Sequence, residues 1–133
     1  MIFIDTGAFL GRYLPDDQYH APALAGWKQL TEQRLSCCTS TLVINETITL
    51  LARRADYAFA AEKARLINAS GALRILRPTA PDEIAAITWL EKFADQRVSF
   101  TDAISFALLK RHRITRVFTF DRHFELAGFQ GLP

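Results

Sequence analysis

Two aspartates in this sequence each follow a run of mainly apolar residues. Asp5 comes directly after Met1–Ile4, and Asp121 comes directly after residues 116–120. A short apolar run without polar alternation is typical of a strand that is buried on both faces of a parallel sheet. Because sites in such sheets lie beyond the carboxyl ends of the strands, we expect Asp5 and Asp121 at one edge. The competing interpretation is that each aspartate forms a turn or caps the next helix.

Two further carboxylates lie on or beside the apolar faces of predicted helices. Glu46 has Leu42 four residues before it and Leu50 four residues after it, and Phe106 follows Asp102 at the same spacing. Residues at this spacing share a helix face. The competing interpretation is that Glu46 borders the apolar stripe with its carboxylate in water, and that Asp102 is a first-turn acid favoured by the helix dipole. Helices that follow strands begin at the edge where Asp5 and Asp121 are expected, so all four acids are expected to lie at that edge.

A cluster of four carboxylates needs a positive charge to hold it together. Two unit charges about 4 Å apart repel by about 4 kcal/mol at an effective dielectric constant of roughly 20. Oxygen-only ligands suit hard cations, so we predict a site for Mg²⁺, or Mn²⁺, that is formed by the four acids. Hydroxyl groups near the same strand ends are expected to orient the carboxylates, or else to cap helices: Thr6, Ser40, Thr101 and Thr119.

The sequence does not have the residue patterns that other common catalytic sites require. The three histidines are scattered and the two cysteines, Cys37 and Cys38, are adjacent, so neither set has the spacing of a zinc site. We interpret the cysteines as reduced core residues and each histidine as a surface residue, of which only His123 is near an acidic motif. No serine stands in a glycine elbow, and no glycine-rich loop for phosphate is present.

Length and composition indicate an ordinary globular protein. The chain has 133 residues, of which 50% are hydrophobic, and we expect residues 1–133 to form one domain. The net charge of +2 neither requires nor excludes a nucleic acid partner. No apolar run approaches the length of a membrane span and none resembles a signal peptide, so we expect no membrane association and a cytoplasmic location.

Strands and helices alternate along the chain, which predicts a parallel sheet covered by helices on both faces and therefore an α/β fold. Strands are expected at about 1–5, 35–39, 73–76 and 116–120, followed by a final extended piece. Helices are expected at about 6–10, 18–34, 42–54, 56–70, 82–96 and 102–113, with a short one after Asp121. Leu24, Trp27 and Leu30 are expected to share one face of the second helix, and Gly71 to end the fourth. The predicted helix caps are Asp16 or Asp17, Ser40 or Thr41, Thr79, and Ser99 or Thr101.

Four short motifs in order resemble the PIN domain, and within it the VapC-like ribonuclease toxins of bacterial type II toxin–antitoxin pairs. They are IFIDTGAF at 2–9, Ser40 with Asn45-Glu46, SFTDAISFAL at 99–108, and TFDRHF at 119–124. Each motif is short, but together they cover nearly the whole chain. The acidic quartet of the family falls on Asp5, Glu46, Asp102 and Asp121, and its recurrent hydroxyl falls on Thr6. Asp95 lies near a further acidic position of the family, and its role is left open.

The resemblance implies a three-layer α/β/α sandwich and metal-dependent endonucleolytic hydrolysis of RNA that leaves a 5′ phosphate. It also implies a homodimer and a small antitoxin protein as partner. Asp5, Asp102 and Asp121 would hold one or two Mg²⁺ or Mn²⁺ ions, with Glu46 as a further ligand or as a base that orients water. Candidate cations for binding the RNA backbone are Arg12, Arg53, Arg54, Lys110, Arg111, Arg113 and Arg116; a solvated helix face explains each of them equally well.

Three alternatives belong to other functional classes. A catalytically silent RNA-binding or partner-binding module on the same fold would retain RNA without cleaving it. A haloacid-dehalogenase-like phosphatase would need a second aspartate two residues after the first, where this chain has Gly7. A receiver-type signalling domain would need an acidic pair near the first strand and a lysine after a late strand, and the chain has neither.

Overall fold

The first strand of the chain lies at the centre of a five-stranded parallel sheet. The computed structural model describes residues 1–132, and the strand order in its sheet is β3-β2-β1-β4-β5. The strands are β1 (Ile2–Ile4), β2 (Cys37–Ser40), β3 (Leu73–Leu76), β4 (Arg116–Phe118) and β5 (Gln130–Gly131). All three residues of β1 are buried, as the apolar run predicts for a strand covered on both faces.

Helices cover both faces of this sheet, which confirms the predicted three-layer α/β/α architecture. They are α1 (Thr6–Tyr13), α2 (His20–Glu32), α3 (Thr41–Arg54), α4 (Tyr57–Ala69), α5 (Ala80–Lys92), α6 (Phe100–Arg111) and α7 (His123–Leu126). The helices form two groups: α1 packs against α2 and α3, and α3 against α4, whereas α6 packs against α5 and α7. No helix in residues 1–132 has both the length and the apolar character that crossing a membrane requires.

The strand order reverses between β1 and β4. The chain first builds outward from β1 to β2 and β3, and then returns to the other side of β1 to form β4 and β5. In parallel sheets the crevice at such a switch point, outside the carboxyl ends of the strands, is the usual place for a site. Asp5 and the segment leading to Asp121 leave the sheet at this point.

Aromatic side chains hold the two halves of the fold together beneath the switch point. Phe106 of α6 and Phe124 of α7 meet edge to face with their ring centroids 5.1 Å apart, and both rings are buried. Phe3 of β1 contacts Phe124 at 6.4 Å. Each aromatic pair contributes about 0.5–1.5 kcal/mol beyond the burial of its area. The elements that carry Asp5 and Asp102, and the start of α7 just after Asp121, therefore rest on one packed cluster.

The helix starts follow the predicted capping residues in most cases. Ser40, Asp56 and Ser99 each accept a hydrogen bond from the backbone N–H three residues on, and Thr79 forms a reciprocal capping box with Asp82. Of the paired alternatives, Ser40 and Ser99 are the caps, and Thr41 and Thr101 are not.

One capping prediction is wrong. Neither Asp16 nor Asp17 caps α2: its N-cap is Tyr19, without a side-chain bond, and the Asp17 carboxylate accepts from the Tyr19 N–H in the preceding turn. The predicted end of the fourth helix near Ser70-Gly71 is confirmed, because α4 ends at Ala69 with Ser70 as its C-cap, although Gly71 lacks the positive φ of a left-handed cap.

Leu24, Trp27 and Leu30 line one groove and therefore share a face of α2, as predicted, although Leu24 is 47% exposed. The fully buried residues of α2 are Ala23, Gly26 and Leu30. A Cβ atom on Gly26 would lie 2.4 Å from the Phe118 ring, so the absence of a side chain there lets α2 approach β4 closely.

One ion pair ties α5 to α6. The Asp82 carboxylate is 3% exposed and accepts hydrogen bonds from Arg111 Nε at 2.8 Å and from a terminal guanidinium nitrogen at 2.9 Å. It also accepts from the Thr79 backbone N–H at 2.8 Å. The Arg111 fork, together with the Thr79 bonds, lowers the pKa of Asp82 to about 2 despite its burial. Asp82 is thus both a helix cap and a buried counterion.

We expect Asp82→Ala to lower the free energy of unfolding by about 2–3 kcal/mol in urea denaturation near neutral pH, because it removes the cap and the Arg111 partner. Glu83→Ala, which removes the exposed neighbouring acid, is the matched control and should cost well under about 1 kcal/mol. The depressed pKa means that this stability is present above the ordinary value of 3.8 and disappears as pH falls through about 2. Equal losses in the two variants, or a difference that persists in strong acid, would contradict this role.

Candidate active site

The ends of β1 and β4 bring two of the predicted acids to one edge of the sheet. Asp5 immediately follows β1, and its backbone N–H donates to the Phe118 carbonyl of β4 at 3.0 Å. Asp121 follows three residues after Phe118. Because β1 and β4 are parallel neighbours, both carboxylates leave the sheet at its carboxyl edge.

Glu46 and Asp102 reach the same edge from helices. Glu46 lies in the second turn of α3, which starts directly at the end of β2, and Asp102 lies in the first turn of α6. Ser99 sets the start of α6 by accepting from the Asp102 N–H at 3.0 Å. Each helix thus carries its acid near its own N-terminal end, where the helix dipole favours negative charge.

Two of the four predicted hydroxyls hold carboxylates in position. Thr119 Oγ1 donates to Asp5 Oδ2 at 2.7 Å and accepts from the Asp121 N–H at 2.9 Å, so one side chain links both strand-end acids. Thr6 Oγ1 donates to Glu46 Oε2 at 2.9 Å and links α1 to α3. These bonds orient the carboxylates, as the sequence predicted for these two residues.

The other two hydroxyls have different roles. Ser40 Oγ accepts from the Val43 N–H and therefore caps α3 instead of contacting an acid. The hydroxyl of Thr101 makes no hydrogen bond within residues 1–132, although its carbonyl accepts from Ser105 Oγ at 3.0 Å. Ser40 still matters for the site, because the cap fixes the start of the helix that carries Glu46.

The four carboxylates act on one another electrostatically. Burial raises the pKa of Asp5 to about 6 against the lowering effect of the Thr119 bond, and the charges of Glu46 and Asp121 raise it further. Burial also raises the pKa of Asp102 to about 8, helped by the charges of the other three acids and a hydrogen bond with Asp121. Glu46 and Asp121 are therefore close enough to both Asp5 and Asp102 to raise their pKa values, so the structure brings all four predicted acids together.

His123 belongs to this cluster, and the prediction that it is a surface residue is wrong. Its side chain is 17% exposed, and Nδ1 lies 3.0 Å from Asp121 Oδ1 and 3.8 Å from Asp102 Oδ2. Nε2 lies 2.8 Å from the Gln96 carbonyl oxygen in the turn between α5 and α6. Its position two residues after a predicted ligand, at the start of a short helix, was the signal in the sequence.

The donor atoms fit a divalent cation. Asp102, Asp121 and His123 each offer one ligand atom, and the three atoms lie within 4.8 Å of one another. The carboxylates of Asp5 and Glu46 belong to the same electrostatic cluster. The raised pKa values of Asp5 and Asp102 indicate that their negative charges lack a positive partner, which a bound cation would supply. Asp95 is exposed, is not part of this group, and accepts only from Gln96 Nε2 at 3.3 Å.

Several of the predicted RNA-binding cations are already engaged. Arg54 pairs with Asp17 at 2.8 Å, and Arg111 pairs with Asp82 at the same distance. The guanidinium of Arg12 lies 4.5 Å from the centre of the Trp27 ring. That contact belongs to an open groove of about 930 Å³ between α1, α2 and α4, which none of the four carboxylates lines.

The basic run from Lys110 to Arg116 lies at the opposite edge of the sheet from the acids. Lys110 and Arg111 end α6, Arg116 begins β4, and Arg116 pairs with Ile2 at the amino end of β1. Arg53 follows Glu46 by seven residues on α3, is exposed, and lies in the last turn of that helix. Residues with that spacing share a helix face, about 10 Å apart along the axis.

Comparison with known proteins gives one family match. The model of the PIN domain family matches residues 2–130. The 23S rRNA-specific endonuclease VapC20 of Mycobacterium tuberculosis is 35% identical over 129 residues, which is 97% of this chain and 95% of the relative. The crystal structure of M. tuberculosis VapC20, described as a toxin that cleaves the sarcin–ricin loop, superposes with a TM-score of 0.85 and 33% identity, covering 97% of this chain and 96% of that chain.

More distant structures share the fold. FitAcB from Neisseria gonorrhoeae has a TM-score of 0.68 at 16% identity, with coverage of 100% of this chain and 97% of that chain. FitAB bound to a DNA fragment has a TM-score of 0.70 at 18% identity, with coverage of 99% and 94%.

The raised pKa values of Asp5 and Asp102 predict that stability without metal falls as pH rises. The folded state holds protons that the unfolded state releases above the ordinary value of 3.8, so the stability is lost as pH rises through about 6 and about 8. In EDTA, we expect the free energy of unfolding to fall by about 1–3 kcal/mol as the pH rises from roughly 5 to 8.5. Adding Mn²⁺ or Mg²⁺ should restore the lost stability.

Urea unfolding at each pH, with EDTA or with the metal, measures this effect. Asp102→Asn should flatten the pH dependence and remove most of the stabilisation by metal. Asp56→Asn, which changes an exposed cap of α4, is the matched control and should keep both. Stability in EDTA that rises with pH in this range would show that the acids are not crowded.

Proposed function

Because the chain belongs to the PIN domain family, we propose that it is a metal-dependent endoribonuclease and the toxin of a toxin–antitoxin pair. The observation that carries the proposal is the cluster of four carboxylates at the carboxyl edge of the sheet, in which Asp5 and Asp102 have strongly raised pKa values. The 35% identical relative named as a 23S rRNA-specific endonuclease supports RNA as the substrate. Ribosomal RNA is therefore the first substrate to test.

We propose that Asp5, Asp102 and Asp121 hold the ion, which is Mg²⁺ or Mn²⁺. Once bound, such an ion lowers the pKa of the attacking water and neutralises charge that develops on the phosphate. Thr119 fixes Asp5 through its hydrogen bond, so this carboxylate needs little reorganisation on binding. The reaction adds water to phosphorus and breaks the bond to the 3′ oxygen, which leaves a 5′ phosphate on one product and a 3′ hydroxyl on the other.

Glu46 is proposed as a further ligand or as the base that orients the water. Its Oε2 is held by the Thr6 hydroxyl at 2.9 Å, which leaves Oε1 to accept a proton. Glu46 is also the most exposed of the four acids, so it meets solvent and substrate most readily. A carboxylate that meets solvent and has one free oxygen is better suited to proton transfer than a deeply buried carboxylate.

An antitoxin protein and a homodimer are part of the proposal, on the basis of the family resemblance. A toxin that cleaves cellular RNA must be silenced by a partner, and the acidic cluster is complementary to a basic side chain of such a partner. Because the substrate is RNA, we expect the protein to act in the cytoplasm. Light scattering of the purified protein, alone and co-expressed with the product of an adjacent small gene, tests both assemblies.

Cleavage of 23S rRNA by the purified protein in Mn²⁺ or Mg²⁺, and its loss in EDTA, is the direct test. We expect Asp5→Asn and Asp121→Asn to lower the cleavage rate by at least about 100-fold, because each removes a charge that holds the ion. Glu83→Gln, an exposed acid on α5, is the control and should keep full activity. Retention of RNA without cleavage in either metal would favour the catalytically silent binding module, and EDTA-resistant cleavage would defeat the metal mechanism.

Arg53 is the cation that we propose for binding the RNA backbone, because it shares a face of α3 with Glu46. We expect Arg53→Ala to weaken RNA binding and to reduce the slope of log affinity against log salt concentration by about 1. Lys110→Ala removes the same charge from an exposed position near the end of a different helix, α6, and should change neither quantity. Filter binding with Asp5→Asn protein, which does not consume the RNA, provides the measurement. Equal effects of the two substitutions would refute a specific role for Arg53.

A further inference from the structure

We propose that His123 is a nitrogen ligand of the divalent cation at this site, and that it makes the site prefer Mn²⁺ over Mg²⁺. The inference rests on the proposed function, because it needs a cation among the carboxylates. It goes further by adding a ligand that differs chemically from the acids and by choosing between the two metals.

The contact with Gln96 fixes where the imidazole carries its proton. Nε2 lies 2.8 Å from the backbone carbonyl oxygen of Gln96. A carbonyl oxygen only accepts hydrogen bonds, so Nε2 must be the protonated nitrogen. In the neutral ring, Nδ1 then carries a lone pair. A backbone carbonyl that sets the tautomer in this way is the usual support of a histidine that binds metal through its other nitrogen.

The surroundings of Nδ1 suit a cation better than any other partner. The atom is buried and makes no hydrogen bond within the described chain. Its nearest polar neighbours are Asp121 Oδ1 at 3.0 Å and Asp102 Oδ2 at 3.8 Å, and both are acceptors when ionised. A lone pair this close to two carboxylate oxygens is repulsive unless something positive lies among the three atoms.

A proton on Nδ1 does not resolve this repulsion as well as a metal ion does. At 3.0 Å from Asp121 Oδ1 an N–H group aimed at the oxygen would form a hydrogen bond, and none is formed. The ring plane therefore directs Nδ1 away from the line to that oxygen. All three donor atoms lie within 4.8 Å of one another, so a single ion can contact all of them.

A nitrogen ligand changes which cation the site favours. Mg²⁺ is hard, requires near-ideal octahedral geometry and is bound mainly by carboxylates, phosphates and water. Imidazole binds first-row transition ions in preference to Mg²⁺. Carboxylates joined by one imidazole therefore favour Mn²⁺, whereas the carboxylates without His123 would accept either ion.

The competing role for His123 is purely structural. Through Gln96 it ties the turn between α5 and α6 to the start of α7, and this tie alone would explain its burial. Loss of activity in a variant would not separate the two roles, so the test has to detect the metal–nitrogen bond itself.

Electron spin echo envelope modulation of Mn²⁺ bound to the full chain provides that test, because it detects nitrogen coordinated to the ion. We expect ¹⁴N modulation in the unlabelled protein and its replacement by a ¹⁵N pattern when only the histidines carry ¹⁵N. His123→Gln should abolish the signal and lower Mn²⁺ affinity by about tenfold or more, while changing Mg²⁺ affinity by less than about threefold. His112→Gln, at the far end of α6 from Asp102, is the matched control and should retain the signal.

The labelled wild-type protein decides the question even if His123→Gln fails to fold. Bound Mn²⁺ without nitrogen modulation would overturn the proposed ligand, and so would equal losses of Mn²⁺ and Mg²⁺ affinity in a folded His123→Gln variant. If the wild-type protein then still cleaves RNA in a metal-dependent way, the proposed function stands and only the role of His123 is lost. If it neither binds Mn²⁺ nor cleaves RNA, both proposals fail.

Discussion

Repulsion between carboxylates is the force that the rest of this structure has to withstand. A parallel sheet with β1 at its centre delivers Asp5 and Asp121 to one edge, and α3 and α6 add Glu46 and Asp102. Left to themselves, the acids would separate or bind protons. They stay together because the backbone segments that carry them are fixed elsewhere, by strand pairing, by helix caps and by the aromatic cluster around Phe106. Thr119 and Thr6 then set the direction of two of the side chains.

Two buried aspartates and one half-buried aspartate in this protein show that burial alone does not determine ionisation. Asp82 is 3% exposed and Asp5 is 8% exposed, yet the pKa of Asp82 is lowered to about 2 and that of Asp5 is raised to about 6. At Asp82 the guanidinium of Arg111 outweighs the effect of burial, whereas at Asp5 burial dominates, no cation opposes it, and the charges of Glu46 and Asp121 add to it. Asp102 has the highest pKa of the three, about 8, and is surrounded by the other three acids. The fold therefore neutralises the aspartate it uses for stability and leaves the clustered ones without an internal cation.

Features that depend on local chemistry could be predicted from the sequence. The apolar runs of β1 and β4, the helix spacing around Glu46 and the capping box at Thr79 are encoded within a few residues, and the structure has them. The grouping of the acids was also predictable, because strands alternate with helices and parallel strands end at one edge. Features that depend on distant contacts could not be predicted in the same way. The Asp82–Arg111 pair joins residues far apart in sequence, and the close approach of α2 to β4 depends on the contact of Gly26 with Phe118.

The same contrast between local and distant contacts applies to two sets of functional residues, the basic run and His123. In the sequence, Lys110, Arg111, Arg113 and Arg116 form a dense run close to Asp121, but α6 and β4 carry that run to the amino edge of the sheet. His123 looked like one scattered histidine of three, whereas the turn before α7 directs its ring toward Asp102 and Asp121. Nearness in sequence to Asp121 is therefore misleading for the basic run, which a three-residue strand carries to the other edge, but it is the correct signal for His123, which a two-residue turn keeps beside Asp121. A position in this fold has to be judged by the end of the strand that it follows, and on that criterion His123 lies with the acids and the basic run does not.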